Sequence, residues 1–477
     1  MNSPSSASPT PRHANDASQT LTWQDALWLG AIVVIGVNLR PLLTSISPLM
    51  TTIRAATGLS FYGASLLTSL PVVAMGIGAF GASALTRVLG ETRGVALGLL
   101  AIALACGARW VTASGAALLL TAALAGVGVA AVQALLPAVM KQRFHARVPL
   151  AMGVFSASIM GGGGLGARLS PWVSNALGSW HAGLAVWALP AVVALACWLG
   201  LNRWRSGVSS GVSSGVSSGV GVGSGVGSGV GVGSGAASAV PSNSPSTAPS
   251  PHGHSTSSST SSSTQHSNRS STQPAPTHPY ASTTQSPLWR KRRAWTLGLF
   301  FGIVNGGYTS LVAWLPAFYQ QRGVSVTDSG SLLAGMTVFQ AAAALLLPLA
   351  AASFRDRRPW LVLGLSAQLV GLLGLIACPD TAAWLWVGVA GAGLGGTFSL
   401  TLVTAMDHSA DHRVAGKLVA FTQGVGFVVA AIAPMLAGMV RSWTGSFGAA
   451  WVMLAACVVA MIGLSLLFSP RSYDRWN

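Results

Sequence analysis

"ALWLGAIVVIGVNLRPLLTSISPLM", residues 26–50, decides the fold. From Ala26 to Leu39 it is almost wholly apolar, and then it carries an arginine, Arg40, followed at once by Pro41. Fourteen residues of helix reach about 21 Å at about 1.5 Å per residue. A hydrocarbon core of about 30 Å needs about 20. If this run crosses a bilayer, the helix must continue through Arg40 and the prolines behind it. The expected span is 24–48, with a permanent positive charge slightly past its middle.

The rest of the chain repeats that opening. The 477 residues are 51% hydrophobic and 7% charged, with mean hydropathy +0.58. A soluble domain carries about 25% charged residues, so this composition cannot cover a water-facing surface. Apolar runs long enough to cross a bilayer fall near 24–48, 63–85, 94–113, 115–139, 149–176 and 181–201. A second set falls near 294–319, 330–352, 360–378, 382–405, 416–440 and 447–468. The expected fold is an all-α membrane protein of twelve transmembrane helices in two groups of six. The net charge of +17 does not indicate nucleic acid, because the basic residues lie between apolar runs rather than on a soluble module.

The expected organisation has five parts: a cytoplasmic tail (1–22), a six-helix bundle (23–205), a linker (206–288), a second bundle (289–470) and a short tail (471–477). The first tail, "MNSPSSASPTPRHANDASQT", is polar and lacks the apolar core of a cleavable signal peptide. The linker opens "SGVSSGVSSGVSSGVGVGSG" and then turns Ser/Thr/Pro/His-rich. With almost no charge and little to bury, it is expected to stay disordered and to act as a tether. Cys106, Cys197, Cys378 and Cys457 each lie alone in or at the end of an apolar run, so neither a disulfide framework nor a metal site is indicated.

Lysine and arginine set the expected orientation. With the N-terminus cytoplasmic, most of the 26 basic residues fall on the cytoplasmic side, against Arg54, Arg109, Arg322 and Arg441 outside. Both termini and the linker are therefore placed in the cytoplasm.

The two groups of six also resemble one another. "RVPLAMGVFS" from Arg147 matches "RVAGKLVAFT" from Arg413, and "PWVSNALGSW" from Pro171 matches "PMLAGMVRSW" from Pro434. Six helices repeated in the same orientation give pseudo-symmetric halves about the membrane normal, with substrate bound near the midplane between them.

Twelve helices in a 6+6 arrangement with a long central loop resemble the major facilitator superfamily. "NLRPLLTSISPLM" (38–50), "GLSFYGASLLTSLPVVAMGIGAF" (58–80) and "YTSLVAWLP" (308–316) narrow the resemblance. They are similar to the cyanate/nitroimidazole permease (CynX/NimT-like) family. That implies a major facilitator fold and a cavity lined by the first, fourth, seventh and tenth helices. The superfamily's loop between helices two and three usually has an acid-Arg-x-Gly core. Here "LTRVLGETR" puts Arg87 where the acid would fall, whereas "SFRDRRP" in the second half offers Asp356 beside Arg357 and Arg358. Arg87, Asp356 and Arg357 are the expected gating residues.

A central arginine costs about 2.5–3.5 kcal/mol on insertion scales, so Arg40 is expected to face a wet cavity or a partner; the competing reading is a side chain that snorkels outward. Arg168, in "GGGGLGARLSPW", is a second cation in the outer half of a span, with the interface as its alternative. None of the nine acids lies well inside a span. Two buried cations without an acid favour an anion or a polarised planar molecule, which a guanidinium grips with two prongs. Asn38 is added to the substrate site, although two residues from Arg40 it faces another side. Gln133, Asn305, Tyr308, Trp314, Ser399 and Gln423 complete it, with Thr397 and Thr401 as further polar neighbours. Each of these is as readily an interhelical hydrogen-bonding residue, and Trp314 an interfacial anchor. "MDHSADHR" (406–413) has Asp/His pairs at i, i+4 spacing but reads better as a loop than as a metal site.

No phosphate-cradling loop and no nucleophile–base arrangement is visible, so neither an enzyme nor a cofactor is expected. The expected function is alternating-access transport of a small anionic or planar polar solute such as cyanate. A coupling ion, protons included, and a monomeric carrier are the expected accompaniments. The alternatives are an exporter of planar drug-like compounds such as nitroimidazoles, and a non-transporting membrane sensor or scaffold.

Overall fold

The structure, a computed structural model, describes residues 22–144, 147–216, 288–409 and 412–470. The tail 1–21, most of the expected linker (217–287) and the tail 471–477 lie outside the described residues. Among the described residues twelve helices are long and apolar enough to cross a membrane. The first half holds α1 (three segments, Trp23–Val37, Pro41–Thr44 and Ile46–Thr57), α2 (Phe61–Leu89), α3 (Glu91–Ala108), α4 (Gly115–Phe144), α5 (Val148–Ala176) and α6 (Trp180–Ala185 and Ala188–Val216). The second holds α7 (Arg292–Gln321), α8 (Val326–Ala351), α9 (Arg358–Ala377), α10 (Ala383–Met406), α11 (His412–Thr444) and α12 (Phe447–Ser465). The matched motifs begin at or on the fifth helix of each half, with Pro171 inside α5 and Pro434 inside α11, although in the first half the second motif runs past Ala176 to Trp180 at the start of α6.

Two departures from expectation have simple causes. The helix α6 runs on to Val216, past the boundary expected at 205. Extending a helix that already exists gains one hydrogen bond per residue fixed and needs no new nucleus. More consequentially, α1 does not continue through Arg40. It stops at Val37, tightens through i→i−3 bonds from Asn38 N to Ile35 O and Leu39 N to Gly36 O, and restarts with Pro41 as the first helical residue. Proline has no N–H to offer the carbonyl four residues back and its ring crowds that carbonyl. Length alone had argued for continuity; a span can cross a bilayer as a broken helix where the break is buried in protein or lines a cavity.

The halves meet along two helix pairs, α2 with α11 and α5 with α8. Small residues let these backbones approach, as lipid-embedded interfaces require. An added Cβ on Gly330 of α8 would lie 2.4 Å from the carbonyl oxygen of Ala167 on α5. We call the end where α1 begins basal and the other end distal. The distal end is closed: Gln320 at the end of α7 donates to Pro48 O (2.8 Å) and accepts from Thr51 Oγ1 (2.5 Å), both on α1. Asn175 Nδ2 on α5 donates to Thr327 Oγ1 on α8 (3.1 Å). Basally, no extensive contact joins α4 to α10 among the described residues. On the basal side of this seal a cavity lies between the halves, lined by residues of α2, α4 and α11.

Candidate functional site

The interruption in α1 presents Arg40 to the junction of the halves. Its residue is 7% exposed and its Nε is buried without a hydrogen-bond partner. The guanidinium carbon lies 4.9 Å from the ring centroid of Tyr308, on α7 of the opposite half. It forms no ion pair among the described residues. Stacking a cation on an aromatic face contributes about 0.5–2 kcal/mol, less than the about 2.5–3.5 kcal/mol that a central arginine costs. The group therefore retains a demand for an acceptor that the surrounding protein does not meet.

Other expected residues divide sharply. Asn305 lies one turn before Tyr308 on the same face of α7 and is buried, its Nδ2 donating to Phe301 O (2.9 Å). Gln133 of α4 and Gln423 of α11 meet in one cavity of about 170 Å³ between the halves, walled by Met75, Ala79 and Phe427. Ser399 is half-buried on α10.

Three expected site residues point elsewhere. Asn38 turns towards α6, its Nδ2 donating to Val34 O (2.6 Å) and Pro190 O (3.1 Å), so it braces the break instead of facing the junction of the halves. Trp314 is fully buried, donates from Nε1 to Pro434 O (2.9 Å), and packs against Phe61 and Phe447. Arg168 is exposed. It shares its face of α5 with Leu165 and Trp172, three residues before and four after, which are also exposed. Arg40 is met instead by Gly163, on another side of the helix. Hydropathy places Arg168 within an apolar run but does not report which way it faces. Thr397 Oγ1 is buried against Gly364 of α9, and Thr401 donates back to Thr397 O (2.7 Å).

The basal charges also pair differently from expectation. Arg357 pairs with Asp407 at the end of α10 (2.9 Å), while Asp356 folds back onto Arg358 (2.6 Å). In the first half Arg87 is exposed and forms no ion pair among the described residues. The equivalent tie is Glu91 accepting from Gln142 Nε2 (2.8 Å). Asp25 at the start of α1 pairs with Arg143 (3.3 Å) and Arg147 (3.2 Å). Sequence reading missed Thr51, Gln320 and the buried amides Gln340 and Gln368; a polar side chain inside an apolar run was their only signal.

His408 of "MDHSADHR" is buried at the basal rim. Its Nε2 accepts from Arg293 Nε (3.1 Å), so Nδ1 carries the proton donated to Thr404 O (2.6 Å). Burial is the main cause that pushes its pKa down to about 4. The unfolded chain, with an ordinary histidine near 6.5, takes up a proton first as pH falls. The contribution of neutral His408 is thus complete above about pH 6.5 and is lost between there and about pH 4, by about 3 kcal/mol at most. Melting midpoints in detergent at stepped pH are expected to fall less steeply for His408→Gln than for the parent across this window. Parallel curves would contradict this assignment.

The profile of the Major Facilitator Superfamily matches residues 29–434. The chain belongs to the Major Facilitator Superfamily. It is 42% identical to the cyanate transport protein CynX of Escherichia coli, over 93% of this chain and 97% of the relative. It is 26% identical to the 2-nitroimidazole transporter of the same organism, over 91% of this chain and 94% of the relative. Among solved structures, a D-xylose-proton symporter superimposes with TM-score 0.66 at 12% identity, covering 93% of this chain and 97% of the other. A bacterial homologue of the human lysosomal transporter Spinster, inward-facing and unoccupied, gives TM-score 0.65 at 14% identity, covering 96% and 99%. These two likenesses establish the major facilitator fold alone. The protein is thus a multi-pass membrane transporter of the superfamily, with the close relatives that the Asn-Leu-Arg-Pro element of α1 had implied.

Proposed function

We propose that this protein moves a small monovalent anion, with the size and flat or linear shape of cyanate, across a bacterial inner membrane by alternating access. The observation that carries the reading is the uncompensated Arg40 guanidinium at the break of α1, stacked on Tyr308 of the other half. A fixed cation at mid-depth selects an anion over a cation or a neutral solute, and its planar fork suits an oxyanion of matching shape. Rocking the halves separates Arg40 from Tyr308, so each cycle remakes the site around its cargo. Gln133 and Gln423 supply neutral hydrogen-bonding groups on the basal route. The cyanate transport protein at 42% identity supports the same class of cargo.

In this reading the basal end, with Lys141, Arg143, Arg147, Arg290, Lys291, Arg292 and Arg293 near its helix ends, is cytoplasmic, and so are both termini. The test is uptake of labelled cyanate into proteoliposomes, competed by azide and nitrate on one side and by neutral 2-nitroimidazole on the other. The anions are expected to compete strongly and the neutral heterocycle weakly. Competition by 2-nitroimidazole alone would replace this reading with that of a planar-drug carrier.

A further inference from the structure

A second pair of arginines occupies the closed distal end. Arg54 lies in the last turn of the last segment of α1 in the first half; Arg441 lies near the distal end of α11 in the second. Both guanidiniums lie over one ring, that of Phe61 at the start of α2. The Arg54 carbon is 3.4 Å from the ring centroid and the Arg441 carbon 4.9 Å. These two distances put the charges within about 8 Å of each other, and the charge of each opposes that of the other. Arg441 also lies 5.3 Å over the Phe447 ring of α12.

Neither arginine forms an ion pair among the described residues. The distal acids are committed elsewhere: Asp380 to Arg322, and Asp328 to Ser325. Arg54 donates from Nε to Leu59 O (3.1 Å), but Arg441 Nε is buried with no partner. Closing the distal seam thus brings together two like charges, one from each half, in a half-buried aromatic setting. An anion that engages both forks removes the repulsion and satisfies the idle donor.

We propose that Arg54 and Arg441 form an anion-binding site, separate from Arg40, whose occupancy by a small free monovalent anion favours the distally closed arrangement. The seam position, with Phe61 packed on Trp314 and Phe447, suits a free ion better than a lipid headgroup. The proposal stands whether or not Arg40 is the transport site.

The experiment uses the full chain in lipid-free detergent, with bromide replacing gluconate at constant ionic strength. The melting midpoint is expected to rise saturably with bromide. Arg441→Gln and Arg54→Gln should weaken the half-saturating concentration at least tenfold, whereas Arg40→Gln should keep the distal response. A wild type without a saturable rise overturns the site, as do arginine variants that titrate like wild type. A rise produced by added phosphatidylglycerol but not by bromide also overturns it, in favour of a lipid. A second measurement leaves both arginines intact. Asn175→Cys, at the distal contact, is expected to react with an impermeant maleimide more slowly in bromide than in gluconate, above the background of the native cysteines. Equal rates overturn the proposal even if the arginine variants fail to fold.

Discussion

Arg40→Ala is expected to lower the initial rate of anion uptake into proteoliposomes by at least about 30-fold. Truncating one partner of a desolvated charge–charge contact costs about 2–5 kcal/mol, and at about 1.4 kcal/mol per factor of ten the lower end already gives that loss. Arg40→Lys keeps the charge but loses the planar fork, so an intermediate defect is expected, carried mainly by KM. Tyr308→Phe preserves the ring and should transport nearly as wild type, because the Tyr308 hydroxyl makes no hydrogen bond among the described residues. Tyr308→Ala removes a contact of about 0.5–2 kcal/mol, and a several-fold defect is expected. Gel filtration of each variant separates loss of transport from loss of fold. An Arg40→Ala protein that is monodisperse and transports at half the parental rate would remove this side chain from the site.

The second large effect lies one helix away. Adding a single methyl at Gly162 of α5 would put it 2.1 Å from the carbonyl oxygen of Val37, with the carbonyl carbon and Cα of that residue at 2.7 and 2.8 Å. These are backbone atoms, so no side-chain rotation relieves the clash. Overpacking of this kind costs about 1–3 kcal/mol and occasionally more. Gly161, its neighbour, has no atom within 4 Å of an added Cβ. Gly162→Ala is therefore expected to lower the melting midpoint by several degrees and to reduce the monodisperse yield, while Gly161→Ala leaves both near the parental values. Val37 is the last residue before the break that aims Arg40, so surviving Gly162→Ala protein should also transport poorly. Equal stability of the two variants would show that α1 and α5 are not packed as described.

These two sites also mark how far sequence reasoning reaches. The twelve spans were legible because a bilayer imposes a length and a polarity that few soluble helices satisfy. Arg40 was legible because a charge in such a run is energetically conspicuous. The break beside it was not, since the length of the apolar run argues for continuity and Pro41 alone does not say whether a span kinks or stops. Arg168 shows a different limit: hydropathy reports depth, whereas facing depends on neighbours such as Leu165 and Trp172 at helical spacing. Trp314 and Asn38 were drawn to the site by chemical type, yet each spends its hydrogen-bonding group on a carbonyl of an adjoining helix. At the basal rim, the acid expected beside Arg357 was its sequence neighbour Asp356, whereas the structure pairs Arg357 with Asp407. Asp407 lies two helices later, and only the packing of α9 against α10 brings it near.

The ionic ties at the basal rim have a consequence for how the carrier is assembled. Asp25 with Arg143 and Arg147 stays within the first six helices, and Arg357 with Asp407 within the last six. Each lobe is riveted to itself, and what joins the lobes is the largely apolar seam of α2–α11 and α5–α8, closed distally by the uncharged hydrogen bonds of Gln320 and Asn175. Two separately translated polypeptides, cut between the lobes, should hold their own shape and find each other in the bilayer, much as the subunits of a heterodimer do.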